Sequence, residues 1–443
     1  GCAWGGLQGA LEQAVNTASL DVMASLSAAA SESHTRAYSH LVRLHGLWEM
    51  LQGAAWCGSD DLPAALEGAH WEQRMQATLP SLSVREPLLA VRRVLLSVHG
   101  MRTPEHECLV QLAATARDEE SFETDAAALG RAARHGSTAG RAQLELGKLL
   151  YDQGLQERAL RILEPVEVNL DALVAAAAAT PDAAEREALV MPYLMATKWL
   201  AEGHLSPEQL VRRYKKVIEA SPQWEESRYA FAVYQDRIAE ALNEKLQLAL
   251  LSRGRSAGSF PRIGQLTKDR DAALVAAMRH YHKSVLQRMQ KHTHETMPRL
   301  LTLYFDYGAA LAKTAGGSSA AAVRGTSAMG SDKYKAPSKS AFDVMSRYME
   351  VLRRDLKAFI WMLVLQQLAS RICHRHPAVV AVLEELLQTL TMAYPAQVMW
   401  TLVGLAASKR SPLRRDRARD IIVRLKQLEV PGQRDLTPDL VCT

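Results

Sequence analysis

Residues 366–400 read QQLASRICHRHPAVVAVLEELLQTLTMAYPAQVMW, and their spacing decides the fold. Leu365, Leu368 and Ile372 recur at helical intervals, and a second apolar series runs through Val379, Val380, Leu383, Leu386, Leu387 and Leu390. Apolar residues at these steps form one face of an α-helix, so two amphipathic helices meet near Pro377. Pro395 starts a third. Each proline lacks a backbone donor and drives the residue before it out of the helical region, which sets where each rod ends. Joints this short imply antiparallel neighbours.

The rest of the chain repeats this grammar. Residues 141–165, RAQLELGKLLYDQGLQERALRILEP, follow the tetratricopeptide pattern, with Leu146-Gly147 in a first helix, Gly154 at the turn, and Ala159 and Leu163 facing inward from a second helix. Small residues at Gly147 and Ala159 let two helices approach closely. A second unit runs from Tyr193 through Trp199, Gly203 and Tyr214 to Pro222, and a third through Trp224, Tyr229, Ala230 and Tyr234. Earlier, residues 31–52 predict a helix with Tyr38, Leu41, Val42, Leu44, His45 and Trp48 on its apolar face. Residues 85–97, REPLLAVRRVLLS, predict another, with Pro87 in its first turn and Leu88, Val91, Leu95 and Val98 on one side. Residues 297–308, MPRLLTLYFDYG, put Pro298 in a first turn and stack Leu300, Leu303, Tyr304, Tyr307 and Leu311. The expected fold is all-α, an α-solenoid of tetratricopeptide-like and HEAT-like hairpins.

The expected divisions are helical repeats over 1–130, tetratricopeptide-like repeats over 131–251, a loop over 252–265, a helical hairpin over 266–313, a low-complexity insertion over 314–340, HEAT-like helices over 341–429 and a tail over 430–443. The 252–265 stretch, SRGRSAGSFPRIGQ, and the 314–340 stretch are rich in Gly, Ser, Ala or Arg and read as breaks in the array. The first residue is Gly1 and not Met, in what already looks helical, so the chain reads as part of a longer polypeptide. Five scattered cysteines without a CxxC pair argue against a disulfide framework or a zinc ribbon. No apolar run approaches the roughly 20 residues needed to span a bilayer.

Candidate chemistry is sparse. Residues 254–258 match GxSxG, but a nucleophile elbow needs a strand entering and a helix leaving, whereas a Leu-rich helix enters here. Cys373, His374 and His376 cluster without a partner pair, so packing outweighs a metal site, and His280/His282 and His292/His294 are spaced for different helix faces. There is no Walker or protein-kinase motif, so no catalytic residue, metal ligand or cofactor is expected in this chain. One feature has a plausible ligand. Between Lys409 and Lys426 eight basic residues stand against Asp416 and Asp420, a net of +6, when the whole chain carries only +5. Ala418, Ile421, Leu425 and Leu428 form the apolar face of that helix, with Arg414, Arg417 and Arg424 expected outward. Three readings are open for Lys409, Arg410, Arg414, Arg415, Arg417, Arg419 and Arg424: a solvated or salt-bridged face, a site for an inositol polyphosphate or similar phosphate-rich molecule, and direct nucleic-acid contact.

Seven stretches occur in one order: SLSAAASE (25–32), AYSHLVRLHGLWEM (37–50), REPLLAVRRVLLS, PQWEESRYAFAVYQDRI (222–238), HKSVLQ (282–287), MPRLLTLYFDYG and SRICHRHPAVVAVLEELL (370–387). In that order they resemble the FAT region of the ATR-type checkpoint kinases, within the phosphatidylinositol 3-kinase-related family. The resemblance implies a helical scaffold that clasps a following serine/threonine kinase domain in a nuclear protein of the DNA damage and replication checkpoint. It implies a parent kinase using ATP and magnesium, homodimer contacts, and a partner subunit held mainly by upstream repeats. From the lack of a spanning apolar run, no membrane association is expected. The rival reading from another class is a free-standing tetratricopeptide adaptor binding peptides; an RNA-binding helical repeat is disfavoured because no regular period of base-reading positions runs through the chain.

Overall fold

The computed structural model describes residues 2–29, 34–56, 70–133, 139–163, 170–202, 205–251, 259–287, 291–315, 334, 337–409 and 411–427. Among these the chain is all-α, twenty helices and no strand. Most described helices are joined by short links, and within each unit many consecutive pairs pack on one another, as in an α-solenoid. Two compact units are present, one of Gly1–Asn169 with Met191–Trp199 and the other of Leu170–Val190 with Leu200–Thr443.

In the first unit, helix Cys2–Ala29 packs along His34–Ala55, which also meets Leu82–Val98; Arg102–Asp118, Phe122–Ala132, Ala139–Asp152 and Gln156–Leu163 follow. Two apolar faces differ from the sequence expectation by about one residue. Helix Leu82–Val98 buries Leu88, Leu89, Arg92 and Leu96, while Val98 is 62% exposed. Helix His34–Ala55 buries Glu49 completely and leaves Trp48 exposed at 43%. The physical cause is one ion pair. Arg92 donates through Nε and Nη2 to the two carboxylate oxygens of Glu49, at 2.9 and 2.6 Å, and through Nη2 to the carbonyl of Trp71 at 3.0 Å. Turning both charged residues inward rotates each helix and carries its outer apolar residues toward solvent.

The tetratricopeptide-like hairpin of the first unit forms as expected. Gly154 adopts φ 80°, the left-handed conformation that glycine enters without a Cβ clash. Its N–H bonds the carbonyl of Tyr151 at 2.9 Å and the N–H of Leu155 bonds that of Leu150 at 2.8 Å, the paired bonds of a Schellman stop. Ala159 and Leu163 are buried behind it. At Gly147 an added Cβ would sit 3.5 Å from Leu163 and from Trp199, ordinary contact distance. The Trp199 ring also stacks on Tyr151, 4.6 Å between centroids.

In the second unit, Ser206 and Gln209 form a capping box that opens helix Pro207–Ala220. The helices Glu225–Leu251 and Ser259–Val285 pack along one another over most of their length. The latter begins at Ser259, so 259–265 is helix where a loop was expected. Pro261, within its first turn, removes a donor that has no intrahelical partner there. The GxSxG stretch at 254–258, Gly203 and most of the 314–340 insertion lie outside the described residues. Thr293–Ala315 starts five residues before Pro298, and Leu82–Val98 five before Pro87, so both prolines sit inside helices and not in first turns. The carbonyl of Pro298 accepts from Thr302 Oγ1 at 2.8 Å and Gln367 Nε2 at 3.0 Å. Leu300, Leu303, Tyr304 and Tyr307 are fully buried, as the stripe required.

The opening stretch behaves as Pro377 and Pro395 dictate, and Pro412 beyond it acts in the same way. Pro377–Ala393, Pro395–Ala406 and Pro412–Gln427 each begin on a proline, and His376 before Pro377 is extended at φ −83°, ψ 123°. Leu368, Ile372, Val379, Leu383, Leu387, Val398 and Leu402 join one core with Leu300, Tyr304, Phe342 and Met345.

Candidate functional site

The arginine-rich helix Pro412–Gln427 is the candidate with chemistry to test. Pro412 occupies the first helical position and the side chain of Ser411 accepts from the N–H of Arg414 at 3.4 Å, so the start is set locally. Ala418 and Ile421 are fully buried, Ile422 nearly so, and Leu425 packs beside them; Leu428 lies outside the described residues. This apolar face docks on Pro377–Ala393 and Pro395–Ala406.

Docking assigns the arginines different tasks. Arg417 was expected outward, next to Ala418. It folds back instead, and its Nη1 donates to the carbonyls of Ile372 at 2.5 Å and His374 at 3.1 Å. These carbonyls lie just past the end of helix Leu365–Ser370, where backbone acceptors lack intrahelical partners, and a cation suits them. Arg424 does face outward and pairs with Glu384 at 2.7 Å, while Arg415 reaches Asp416 at 3.3 Å. Arg414 is half-buried, its Nε without a hydrogen-bond partner among the described residues. Lys409 and Arg419 are exposed, and Arg410 lies outside the described residues. The six described basic residues therefore serve different ends: Arg417 is a structural clamp, Arg424 a link to the neighbouring helix, Arg415 a partner of Asp416, and Lys409 and Arg419 are exposed to solvent.

The Cys-His cluster resolves into packing. His374 is buried, its Nδ1 accepts the N–H of His376 at 3.1 Å, and its Nε2 lies 2.9 Å from the carbonyl of Phe305. An Nδ1 that accepts requires the proton on Nε2, so both ring nitrogens are committed and the ring is neutral. Burial, foremost, holds its pKa below the usual histidine range. No group of three potential metal-ligating side chains comes together among the described residues. The ring edge of His374 also bounds a tight spot at Gly308, where an added Cβ would lie 3.0 Å from Phe342 and Val379 and 3.4 Å from His374. The glycine that ends MPRLLTLYFDYG is thus required by the close approach of three segments.

Sequence reasoning missed the polar networks that lock the helices. Arg299 holds Asp236 through two bonds at 2.6 and 2.9 Å and also reaches Glu240; Tyr281 adds a bond to Asp236 at 3.3 Å. The carboxylate of Glu225 accepts the backbone N–H groups of Lys291 and His292, both at 2.8 Å, just ahead of helix Thr293–Ala315. The available signal was a charged residue at a core position of the helical period.

Comparison with known proteins fits this architecture. The FAT domain family matches residues 8–302, and the family described as "Serine/threonine-protein kinase ATR-like, HEAT repeats" matches residues 344–441. This chain belongs to the FAT family. It is similar to the serine/threonine-protein kinase ATR of Oryza sativa subsp. indica, 26% identical over 91% of the chain, and to that of Arabidopsis thaliana, 27% identical over 90%. The serine/threonine-protein kinase MEC1 of Candida glabrata is 23% identical over 61% of it. The chain spans 15% of the length of each of these two ATR proteins and 10% of the MEC1 protein. Within this FAT region and its HEAT repeats, among the described residues, no helix is long and apolar enough to cross a membrane.

Proposed function

We propose that this chain is the regulatory scaffold segment of an ATR-like serine/threonine protein kinase acting in DNA damage and replication checkpoint signalling. The observation that carries the reading is the run of FAT and ATR-like HEAT matches, in that order, with alignment to ATR proteins over nine-tenths of the chain. In this reading the scaffold clasps a kinase domain of the same polypeptide and biases it between less and more active arrangements. Catalysis, with ATP and magnesium, belongs to that domain. The parent protein is nuclear, self-associates, and meets a partner subunit mainly through repeats upstream. The docked Pro412–Gln427 helix supports the mechanism: its position is fixed by Arg417 and by buried Ala418 and Ile421, so a force on it is transmitted to the core around Leu368 and Leu387.

Reading the transcript beyond the Thr443 codon tests the proposal. A kinase coding region is expected there, and the protein carrying it should phosphorylate Ser-Gln peptides in vitro while residues 1–443 alone do not. A stop codon directly after Thr443 would overturn it and favour the peptide-binding adaptor.

A further inference from the structure

One groove of the first unit keeps apolar side chains in water. It measures about 580 Å³ and is lined by Val15 of helix Cys2–Ala29, Leu41, Leu44 and Trp48 of helix His34–Ala55, and Ala77 at the end of helix Trp71–Ala77. Trp48 is 43% exposed and Leu41 39%. The buried Arg92–Glu49 pair sets this up: Glu49 takes the inward position, so Trp48 beside it turns out. A tryptophan and a leucine held at the mouth of one groove form a surface that gains by being covered. Leu41, Leu44 and Trp48 stand at i, i+3 and i+7 and extend over about 10.5 Å at 1.5 Å per residue, the reach of two turns of a second helix laid alongside.

The polar groups of the groove say what that helix must carry. Several are already spent inside the unit: Ser19 Oγ donates to the carbonyl of Val15 at 2.8 Å, Thr78 Oγ1 to that of Met75 at 2.7 Å, and His45 Nε2 lies 2.8 Å from the carboxylate of Glu49. Two donors are left. The Tyr38 hydroxyl accepts the N–H of Leu79 at 2.7 Å and keeps its own hydrogen to give. Arg74 gives Nη1 to the side-chain carbonyl of Gln52 at 3.0 Å and pairs with no carboxylate among the described residues. No Asp or Glu lines the groove. A guanidinium that meets only a neutral amide retains both its charge and further N–H groups for an acid. We propose that this groove docks an amphipathic helix of a partner protein, one with apolar residues at i, i+3 or i+4 and i+7 and an Asp or Glu placed to meet Arg74.

A display library of helical peptides about 16 residues long, randomised along one face, is selected against the full chain as the test. Enriched peptides should carry large apolar residues at those steps with one Asp or Glu, and bind saturably. Trp48→Ser and Arg74→Gln should each weaken them at least about tenfold while the circular dichroism stays that of the parent. Replacing the peptide's acid by its amide should weaken binding to the parent and make little difference to Arg74→Gln. Trp400→Ser, at a position 70% exposed in the second unit, should bind like the parent. No enrichment, enrichment of Lys or Arg in place of the acid, binding indifferent to Trp48→Ser, or an acid that matters as much to Arg74→Gln as to the parent would each overturn the proposal. So would self-association of the chain that Trp48→Ser abolishes, which gives the groove to a second copy, or displacement of the peptides by dodecanoate at equal concentration, which gives it to an acyl carboxylate.

Discussion

Arg92 and Glu49 form a two-point ion pair at 2.9 and 2.6 Å with both side chains at or below 2% exposure, Arg92 also lying 4.9 Å from the centre of the Trp71 ring. They come from different helices of the first unit, 43 residues apart. Such a pair fixes register more surely than it adds net stability, because the desolvation of two charges offsets most of their attraction. Glu49→Gln leaves Arg92 buried without a carboxylate, and Arg92→Met leaves Glu49 buried with only His45, 2.8 Å away, so each should cost about 3–5 kcal/mol. The double change to leucine and methionine should recover most of that. Urea unfolding of the three variants checks this, and single variants within about 0.5 kcal/mol of the parent would show that the pair does not hold the helices.

Gly308 and Gly147 make a matched comparison. At Gly308 a methyl group would press on the Phe342 ring and a Val379 methyl at 3.0 Å, and in this packed core the neighbours must give way, so Gly308→Ala should destabilise by about 1–3 kcal/mol. At Gly147 the methyl meets Leu163 and Trp199 at 3.5 Å, so Gly147→Ala should be neutral or gain up to about 1 kcal/mol from the stiffer unfolded chain. A bulky residue at Gly147 would still force the hairpin apart. Thermal midpoints in which Gly147→Ala is the more damaging of the two alanine changes would contradict the geometry.

Acid should loosen the second unit through its buried and half-buried histidines. His280, His282, His374 and His376 all have pKa values lowered by burial, that of His280 to about 3. Depressed folded values mean that the unfolded chain takes up protons first, so stability is level above about pH 6.5 and falls below it. His280 extends the loss toward pH 3. His282 isolates the effect, since both its ring nitrogens are buried without partners among the described residues and its ring lies 5.3 Å from Tyr348. His282→Phe should keep or raise the midpoint at neutral pH and flatten its decline between pH 6.5 and 5. An unchanged slope in that variant would refute the assignment.

Within the basic helix, Arg417 and Arg419 should separate sharply although they are two residues apart. Arg417→Leu abandons the carbonyls of Ile372 and His374 and should cost about 1.5–3 kcal/mol, the range for hydrogen bonds to a charged group. Arg419→Leu, at an exposed position, should stay within about 0.5 kcal/mol. Chemical denaturation distinguishes them, and equal losses would mean that the helix is held by its apolar face alone.

Much of the array was legible because helical period and proline position are local properties. The stops at Pro377, Pro395 and Pro412, the Gly154 turn and the buried stripe of Leu300 to Tyr307 needed no knowledge of partners. The placements of Pro87 and Pro298 were misjudged for the opposite reason: whether a helix extends a turn ahead of a proline depends on packing around it, here the buried Leu300, Leu303 and Tyr304 and the bond from Gln367 Nε2 to the Pro298 carbonyl. For the basic helix, composition revealed the charge but not its use. Whether an arginine serves a ligand or a neighbouring carbonyl depends on what lies opposite, and Ile372 is 45 residues away in sequence.

The sequence alone therefore determined the helices, their joints, and through ordered stretches such as MPRLLTLYFDYG and SRICHRH the family to which the chain belongs. Tertiary structure alone decided the exact inward face of helices His34–Ala55 and Leu82–Val98, because a single buried pair, Arg92 with Glu49, outweighs the average hydrophobicity of a stripe. It also decided which cations are neutralised. Arg417 found the carbonyls of Ile372 and His374 and Lys216 the carboxylate of Asp171, since such pairing acts between residues remote in sequence and is set only when the helices stack.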